Sequence, residues 1–178
     1  MGEIHVVEHP IVGTIRWRAA QEISGAPIEL LDQFEQNNID KFFVPQLEGV
    51  LDGRTEATGD IFNGRVRFFR KARQQLIDAF AEIEATVLKS LIISFEGSFN
   101  ARLQRKKGGG PMHKPSNHSF GTAFDINADF NGQGDPPAPL GANGSVRELV
   151  PIFEKHGFRW GGNFLTPDGM HFEVSELK

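Results

Sequence analysis

The chain has 178 residues, enough for one globular unit and short for two, and its 39% hydrophobic content is sufficient to bury a core. Its 23 acidic residues outnumber 19 basic ones, giving a net charge of −4, which weighs against a general nucleic-acid binder. No cysteine is present, which excludes disulfide frameworks, CxxC zinc sites and thiol catalysis together. In chain order, Ile11 to Arg18 alternates near its end, with Ile15 and Trp17 against Thr14, Arg16 and Arg18, as a half-buried strand does. Pro27 opens a short helix with Ile28, Leu31 and Phe34 on one face. Phe42 to Leu47 reads as an edge strand, because Pro45 cannot donate to a ladder. Asp52 to Gly64 reads as loop. From Arg65 to about Leu88, Phe69, Ala72, Leu76, Phe80, Ile83 and Val87 recur at helical spacing, the clearest helix in the chain.

Leu91 to Phe95 is a short apolar run that reads as a buried strand, and Gly108 to Ser116 as an irregular loop. Ala123 to Phe130 alternates: Ala123, Asp125, Asn127 and Asp129 face one way, and Phe124, Ile126, Ala128 and Phe130 the other. A proline-rich loop spans Asn131 to Gly144. Ser145 with Glu148 has the pattern of a capping box, but Pro151 is awkward inside that helix, so a start at Pro151 and an end at Gly157 is the other option. Met170 to Val174 alternates again, with His171 and Glu173 opposite Met170, Phe172 and Val174. With no repeat and no linker, the expectation is one α+β domain over residues 1–178, an antiparallel β-sheet packed against helices.

Two short strands thus turn apolar faces inward and metal-capable side chains outward. The first presents Asp125, with His118 seven residues earlier across a glycine-containing turn; the second presents His171, with Asp168 three residues before it. Two imidazoles and a carboxylate make a three-ligand set that leaves a zinc position open for water, and a further carboxylate supplies a general base. Spacing alone does not decide this, since a single His is more often a surface or hydrogen-bonded core residue.

The run Ser116-Asn117-His118-Ser119-Phe120-Gly121-Thr122-Ala123-Phe124-Asp125 fits the pattern SxHxxGxAxD. With Asp168-Gly169-Met170-His171 downstream, the sequence resembles the D-alanyl-D-alanine carboxypeptidase and dipeptidase family of zinc peptidases, which includes the L-alanyl-D-glutamate endopeptidases of phage endolysins. Gly157 to Gly162 and Met170 to Glu173 are similar to the same family. The resemblance covers about residues 91–175, leaving 1–60 as an N-terminal extension without an assigned role. It implies a hedgehog/DD-peptidase-like fold and one Zn²⁺ bound by His118, Asp125 and His171. It further implies Asp168 as acid/base, Arg102 as the cation that stabilises the transition state, and Ser116 at the substrate-binding edge. Trp160 is read as core or as pocket wall against the substrate. The implied substrate is a peptidoglycan peptide, cut either as a D-Ala-D-Ala carboxypeptidase or as an L-Ala-D-Glu endopeptidase. Two positions depart from the family: Phe164 stands where relatives often carry Trp, and Gly169 where a larger residue is common.

Other features read blandly. His156 is expected to interact with a helix C-terminus, His113 to lie in a flexible loop, and His5 and His9 to face solvent. Glu173 is either a hydrogen-bond acceptor for a ligating imidazole or a charged strand residue. Among the basic residues from Arg102 to Lys114, all but Arg102 read as a solvated loop. The Asp125 to Asp129 run lacks the glycine and bidentate glutamate of a calcium loop, and Gly108 to Gly110 is followed by no phosphate-loop Lys-Ser/Thr. No run approaches the roughly 18 apolar residues of a membrane helix, and residues 1–10 lack the shape of a signal peptide. The expectation is therefore a chain without a membrane span and without a nucleic-acid partner. It is expected to be cytoplasmic as made, and to reach the wall by a non-classical or phage-lysis route if it acts there. The rival from another class is a non-catalytic binding module that keeps the zinc scaffold; Asp168 and Arg102 beside a full ligand set argue against it.

Overall fold

The structure, a computed structural model, describes residues 2–55 and 59–178. It is α+β. A three-stranded antiparallel sheet is built from β1 (His5–His9), β2 (Gly13–Ala19) and β3 (Ile28–Leu30). After α1 (Phe34–Asn38), a six-stranded sheet forms from β4 (Ile39–Asp52), β5 (Ile61–Phe69), β6 (Ser94–Gly97), β7 (Ala123–Ile126), β8 (Phe158–Trp160) and β9 (His171–Val174), in the order β5-β4-β6-β7-β9-β8. All its pairings are antiparallel except β4 with β6, so the sheet is mixed. Helices α2 (Arg73–Glu84) and α3 (Val150–Lys155) complete the set.

One face of the large sheet carries the main core. Phe68, Phe80, Phe124, Phe153, Phe158 and Phe172 are all buried, and their rings meet edge-on or tilted except for Phe124 on Phe172, stacked at 5.5 Å. Each buried Phe contributes about 1.5–3 kcal/mol relative to exposure, so this aromatic block fixes β7 and β9 against α2 and α3. A smaller cluster of Trp17, Ala26, Ile28 and Leu103 lies under the three-stranded sheet.

Several sequence expectations are corrected. Pro27 opens no helix: Ile28–Leu30 pairs with Trp17–Ala19 of β2, and the strand gives way to Asp32 and Gln33 in the left-handed region before α1. The Phe42 to Leu47 stretch is not a sheet edge, because β4 lies between β5 and β6. Pro45 is tolerated there since it falls in the bulged stretch between the Phe43–Arg65 and Glu48–Asn63 pairs. The expected loop from Asp52 to Gly64 is shorter at both ends, since Asp52 closes β4 and Ile61 to Gly64 open β5; its residues 56–58 are outside the described residues.

The long helix begins late. Residues 65–69 complete β5, where Phe62, Gly64, Val66 and Phe68 point inward at period two. A helical turn at Arg70–Ala72 then leads into α2, and Val87 is 90% exposed beyond it. The buried strand near residue 91 is β6, displaced to Ser94–Gly97 because Val87–Leu91 forms a 3₁₀ turn. β7 stops at Ile126, since Asn127 takes a left-handed conformation and its side chain bonds back to the backbone of Leu91, Ile93 and Ser94. Ser145 and Glu148 do bond to each other, and the helix proper starts beside Pro151 and ends before Gly157.

Candidate metal and catalytic centre

β7 and β9 pair so that Asp125 stands directly opposite His171, Phe124 opposite Phe172, and Ala123 opposite Glu173. Directly opposed residues share a face with Cβ atoms about 4.5–5.5 Å apart. The phenylalanines therefore bury into the core while Asp125, His171 and Glu173 lie together on the other side. His118 arrives from a short 3₁₀ turn, Asn117–Phe120, whose start is capped by Ser116 Oγ accepting from the His118 amide. Gly121, at φ +64°, ends that turn where a Cβ would strike the backbone of Phe69.

The three side chains converge. His118 Nε2 lies 3.2 Å from His171 Nδ1 and 3.2 Å from Asp125 Oδ2, and His171 Nδ1 lies 2.9 Å from Asp125 Oδ1. One ligand atom from each fits within 4.8 Å of the others, the only such group among the described residues. The far nitrogen of each imidazole is held: His118 Nδ1 by the Ser98 carbonyl at 3.1 Å, and His171 Nε2 by Glu173 Oε2 at 3.0 Å. Such outer hydrogen bonds orient ligating imidazoles and fix which nitrogen is free. Glu173 is thus the acceptor option of the two left open by the sequence, and its other oxygen takes the Arg159 guanidinium.

The charges follow the geometry. Burial alone would raise the Asp125 carboxyl, but the His118 charge and the bonds from both histidines outweigh it and hold it well below the usual range. Burial would lower His171; its bonds to Asp125 and Glu173 push it up to about 10 instead. Glu173 is pulled down to about 2, because its pairing with His171 overcomes burial.

A cleft of about 240 Å³ opens over this cluster. Asp168 lines it, with Oδ2 accepting from Gln133 at 3.1 Å and Oδ1 buried without a partner. Burial, helped by the nearby Asp125 charge, raises the Asp168 carboxyl. Arg102 also lines the cleft; its Nη1 donates to the Leu103 carbonyl, while its buried Nε has no partner, and burial lowers its pKa. Ser116 and Phe164 are at the same walls. Arg105 lines the cleft too, which corrects the reading of that residue as plain solvated loop. Trp160 is buried in the main core, with Nε1 donating to the Gly169 carbonyl at 2.7 Å, and supports the site from behind. Gly169 has a local reason to be small: a Cβ there would meet Pro137 at 2.7 Å.

Residues 110–174 match the model of a family described as D-alanyl-D-alanine carboxypeptidase. The resemblance read from the sequence is shown over that segment. No curated protein and no solved structure gives a match. The matched segment contains His118, Asp125, Asp168, His171 and Glu173, whereas Arg102 precedes it.

Three supporting residues escape a reading of the sequence. Asn117 and Gln133 carry no local signal beyond polarity. Arg159 stands directly opposite Glu173, a charge pair that becomes visible only once β8 is recognised. His5 and His9 are half-buried rather than turned fully to solvent: His5 stacks on Trp17 at 4.5 Å, and His9 packs edge-on against Phe120 at 5.1 Å. His113 pairs with Glu22, and His156, at the end of α3, with Glu82. Among the described residues no helix is long and apolar enough to cross a membrane.

Proposed function

We propose that the chain is a zinc-dependent metallopeptidase that hydrolyses D-amino-acid-containing peptides of bacterial peptidoglycan, either by releasing a terminal D-Ala or by cutting at L-Ala-D-Glu. In this reading the fold is of the hedgehog/DD-peptidase type, with 91–175 as the zinc-binding part. The observation that carries the proposal is the convergence of His118 Nε2, His171 Nδ1 and the Asp125 carboxylate beneath a cleft that holds the unpaired, buried Asp168 Oδ1.

The donor set fits zinc. Two imidazoles and one carboxylate are the ligand types it takes, and three protein ligands leave a place for water. Bound there, the ion would act as a Lewis acid and lower the pKa of water toward about 7. Asp168 takes the proton of the attacking water at Oδ1, and its raised pKa brings it closer to that of the proton it must handle. It then gives the proton to the departing amine. The Arg102 guanidinium meets the negative charge that develops on the scissile carbonyl oxygen, and it acts strongly because its surroundings are dry. Ser116 and Phe164 bound the substrate.

Purified peptidoglycan incubated with metal-loaded protein should release new amino groups, and a chelator should stop it. Mass spectrometry of the muropeptides then distinguishes loss of D-Ala from cleavage after L-Ala. Release that is absent with the metal-loaded protein, or indifferent to chelator, refutes the proposal.

A further inference from the structure

The first hairpin reaches the metal-capable cluster through a path of consecutive hydrogen bonds that meets at the Glu173 carboxylate. β1 ends at His9, which pairs with Gly13 across a three-residue turn. The His9 Nδ1 accepts two backbone N–H groups of that turn, from Ile11 and Val12, each at 3.2 Å. A nitrogen that accepts carries no proton, so in the neutral ring the proton sits on Nε2. Nε2 lies 3.3 Å from Asn117 Oδ1 and donates to it. An amide whose oxygen is taken in this way donates through Nδ2, and Asn117 Nδ2 does so to Glu173 Oε2. The carboxylate only accepts, so it takes the Nε2–H of His171 on that same oxygen. The remaining nitrogen of His171, Nδ1, is then the one turned toward Asp125 and His118.

We infer that His9 is a positioning residue for the metal centre: acting through Asn117, it holds the Glu173 carboxylate where it receives the His171 Nε2–H and so steadies the ring that turns Nδ1 to the ion. The inference rests on the zinc reading proposed above and gives the N-terminal hairpin a role in that site.

The two ring nitrogens of His9 have separable tasks. His9→Asn keeps an acceptor near the Nδ1 position for the turn but falls short of Asn117; His9→Gln extends an amide donor toward the Nε2 position. Two readouts follow in the full-length protein: zinc affinity by competition with a chromophoric chelator, and solvent exchange of the His171 Nε2–H by NMR in the metal-free protein. His9→Asn should weaken zinc about tenfold, the lower end of the range for outer hydrogen-bond partners, and should speed the exchange. His9→Gln should restore both toward the parent values. Should His9→Asn not fold, Asn117→Leu interrupts the same path without touching the hairpin and should produce both changes.

A folded His9→Asn or Asn117→Leu protein with parental zinc affinity and parental exchange overturns the inference. A parent protein that takes up no zinc defeats the zinc reading instead, and the exchange comparison alone then decides the part played by His9.

Discussion

Replacing Gly161 by alanine tests how closely Asp168, the proposed acid/base, must be held to the candidate metal cluster. Gly161 is buried and not in the left-handed region, so the substitution carries no conformational penalty of the kind glycine usually hides. Its effect is steric. The new Cβ would lie 2.6 Å from the Asp168 carbonyl oxygen, 3.1 Å from His171 Cβ and 3.2 Å from the His171 carbonyl oxygen. A relaxed C···O contact is about 3.3–3.6 Å, so the Asp168 segment must retreat by about 0.7–1 Å. That segment is also tied to Gly161 by the Asp168 amide, which donates to the Gly161 carbonyl at 2.9 Å, so it cannot move away freely. Overpacking of this kind costs about 1–3 kcal/mol of stability, and a misplacement near 1 Å costs about 100-fold in rate. Kinetics on muropeptides, with zinc content measured on the same samples, should show kcat reduced by about that factor while the metal is retained. A Gly161→Ala protein that folds and turns over at the parental rate would show that the spacing of Asp168 from the cluster does not matter, and the assignment of Asp168 would go with it.

Asp168→Asn should lower turnover by about 10²–10⁴-fold and leave zinc bound, whereas His118→Ala or His171→Ala should lose the metal; paired zinc analysis and hydrolysis assays separate the two outcomes. Zinc affinity should climb with pH. His171 is raised to about 10 when metal-free, so the ion must displace one proton below that value, and the apparent binding constant should rise about tenfold per pH unit across the neutral range; a pH-independent titration would contradict it. The same pKa has the opposite effect on the metal-free fold: the stabilisation from protonated His171 is complete below about pH 6.5 and is lost as pH rises through about 10, which thermal melts across that window should show as a falling Tm. Phe124→Ala, at the centre of the aromatic block, should cost about 3–5 kcal/mol, read by denaturant titration.

The parts of this site that are legible in the sequence are those where local pattern and tertiary structure agree. Strands β7 and β9 each bury one face in an aromatic core and turn the other to the cleft, so alternation by itself puts Asp125 and His171 on the correct side. Where one residue serves two patterns, periodicity misleads. Phe69, Ala72, Leu76, Phe80 and Ile83 do line the buried face of the helical run, but Phe68 and Phe69 are both buried, and the strand period that ends there merges with the start of the helical one. The N-terminus misleads for a chemical reason: His5 and His9 alternate with Val6 and Glu8 as strand residues do, yet histidines among acidic neighbours resemble a solvated segment. Their burial depends on Trp17 and Phe120, which lie 12 and 111 residues away and leave no local trace.

The cleft is walled on one side by the six-stranded sheet and on another by an extended stretch anchored to the small sheet. Asp125 and His171 of the candidate metal cluster lie on β7 and β9 of the six-stranded sheet and His118 on the turn before β7, all within the segment that matches the family. Arg102 lies outside that match, on an extended stretch locked from both sides. The Leu103 amide donates to the Ala26 carbonyl at 2.8 Å and the Ile28 amide to the Ala101 carbonyl at 3.0 Å, while the Ser116 amide donates to the Arg102 carbonyl at 3.0 Å. Leu103 is fully buried with Trp17, Ala26 and Ile28. In extended backbone the next residue points the opposite way, so burying Leu103 under the three-stranded sheet is what turns Arg102 into the cleft. The small sheet thereby anchors the proposed oxyanion cation through backbone bonds, and its hairpin reaches the proposed ligand His171 through His9, Asn117 and Glu173. The first contact ties the first 30 residues to the stretch just before the matched segment and the second ties them into it, where the sequence alone offers them no role.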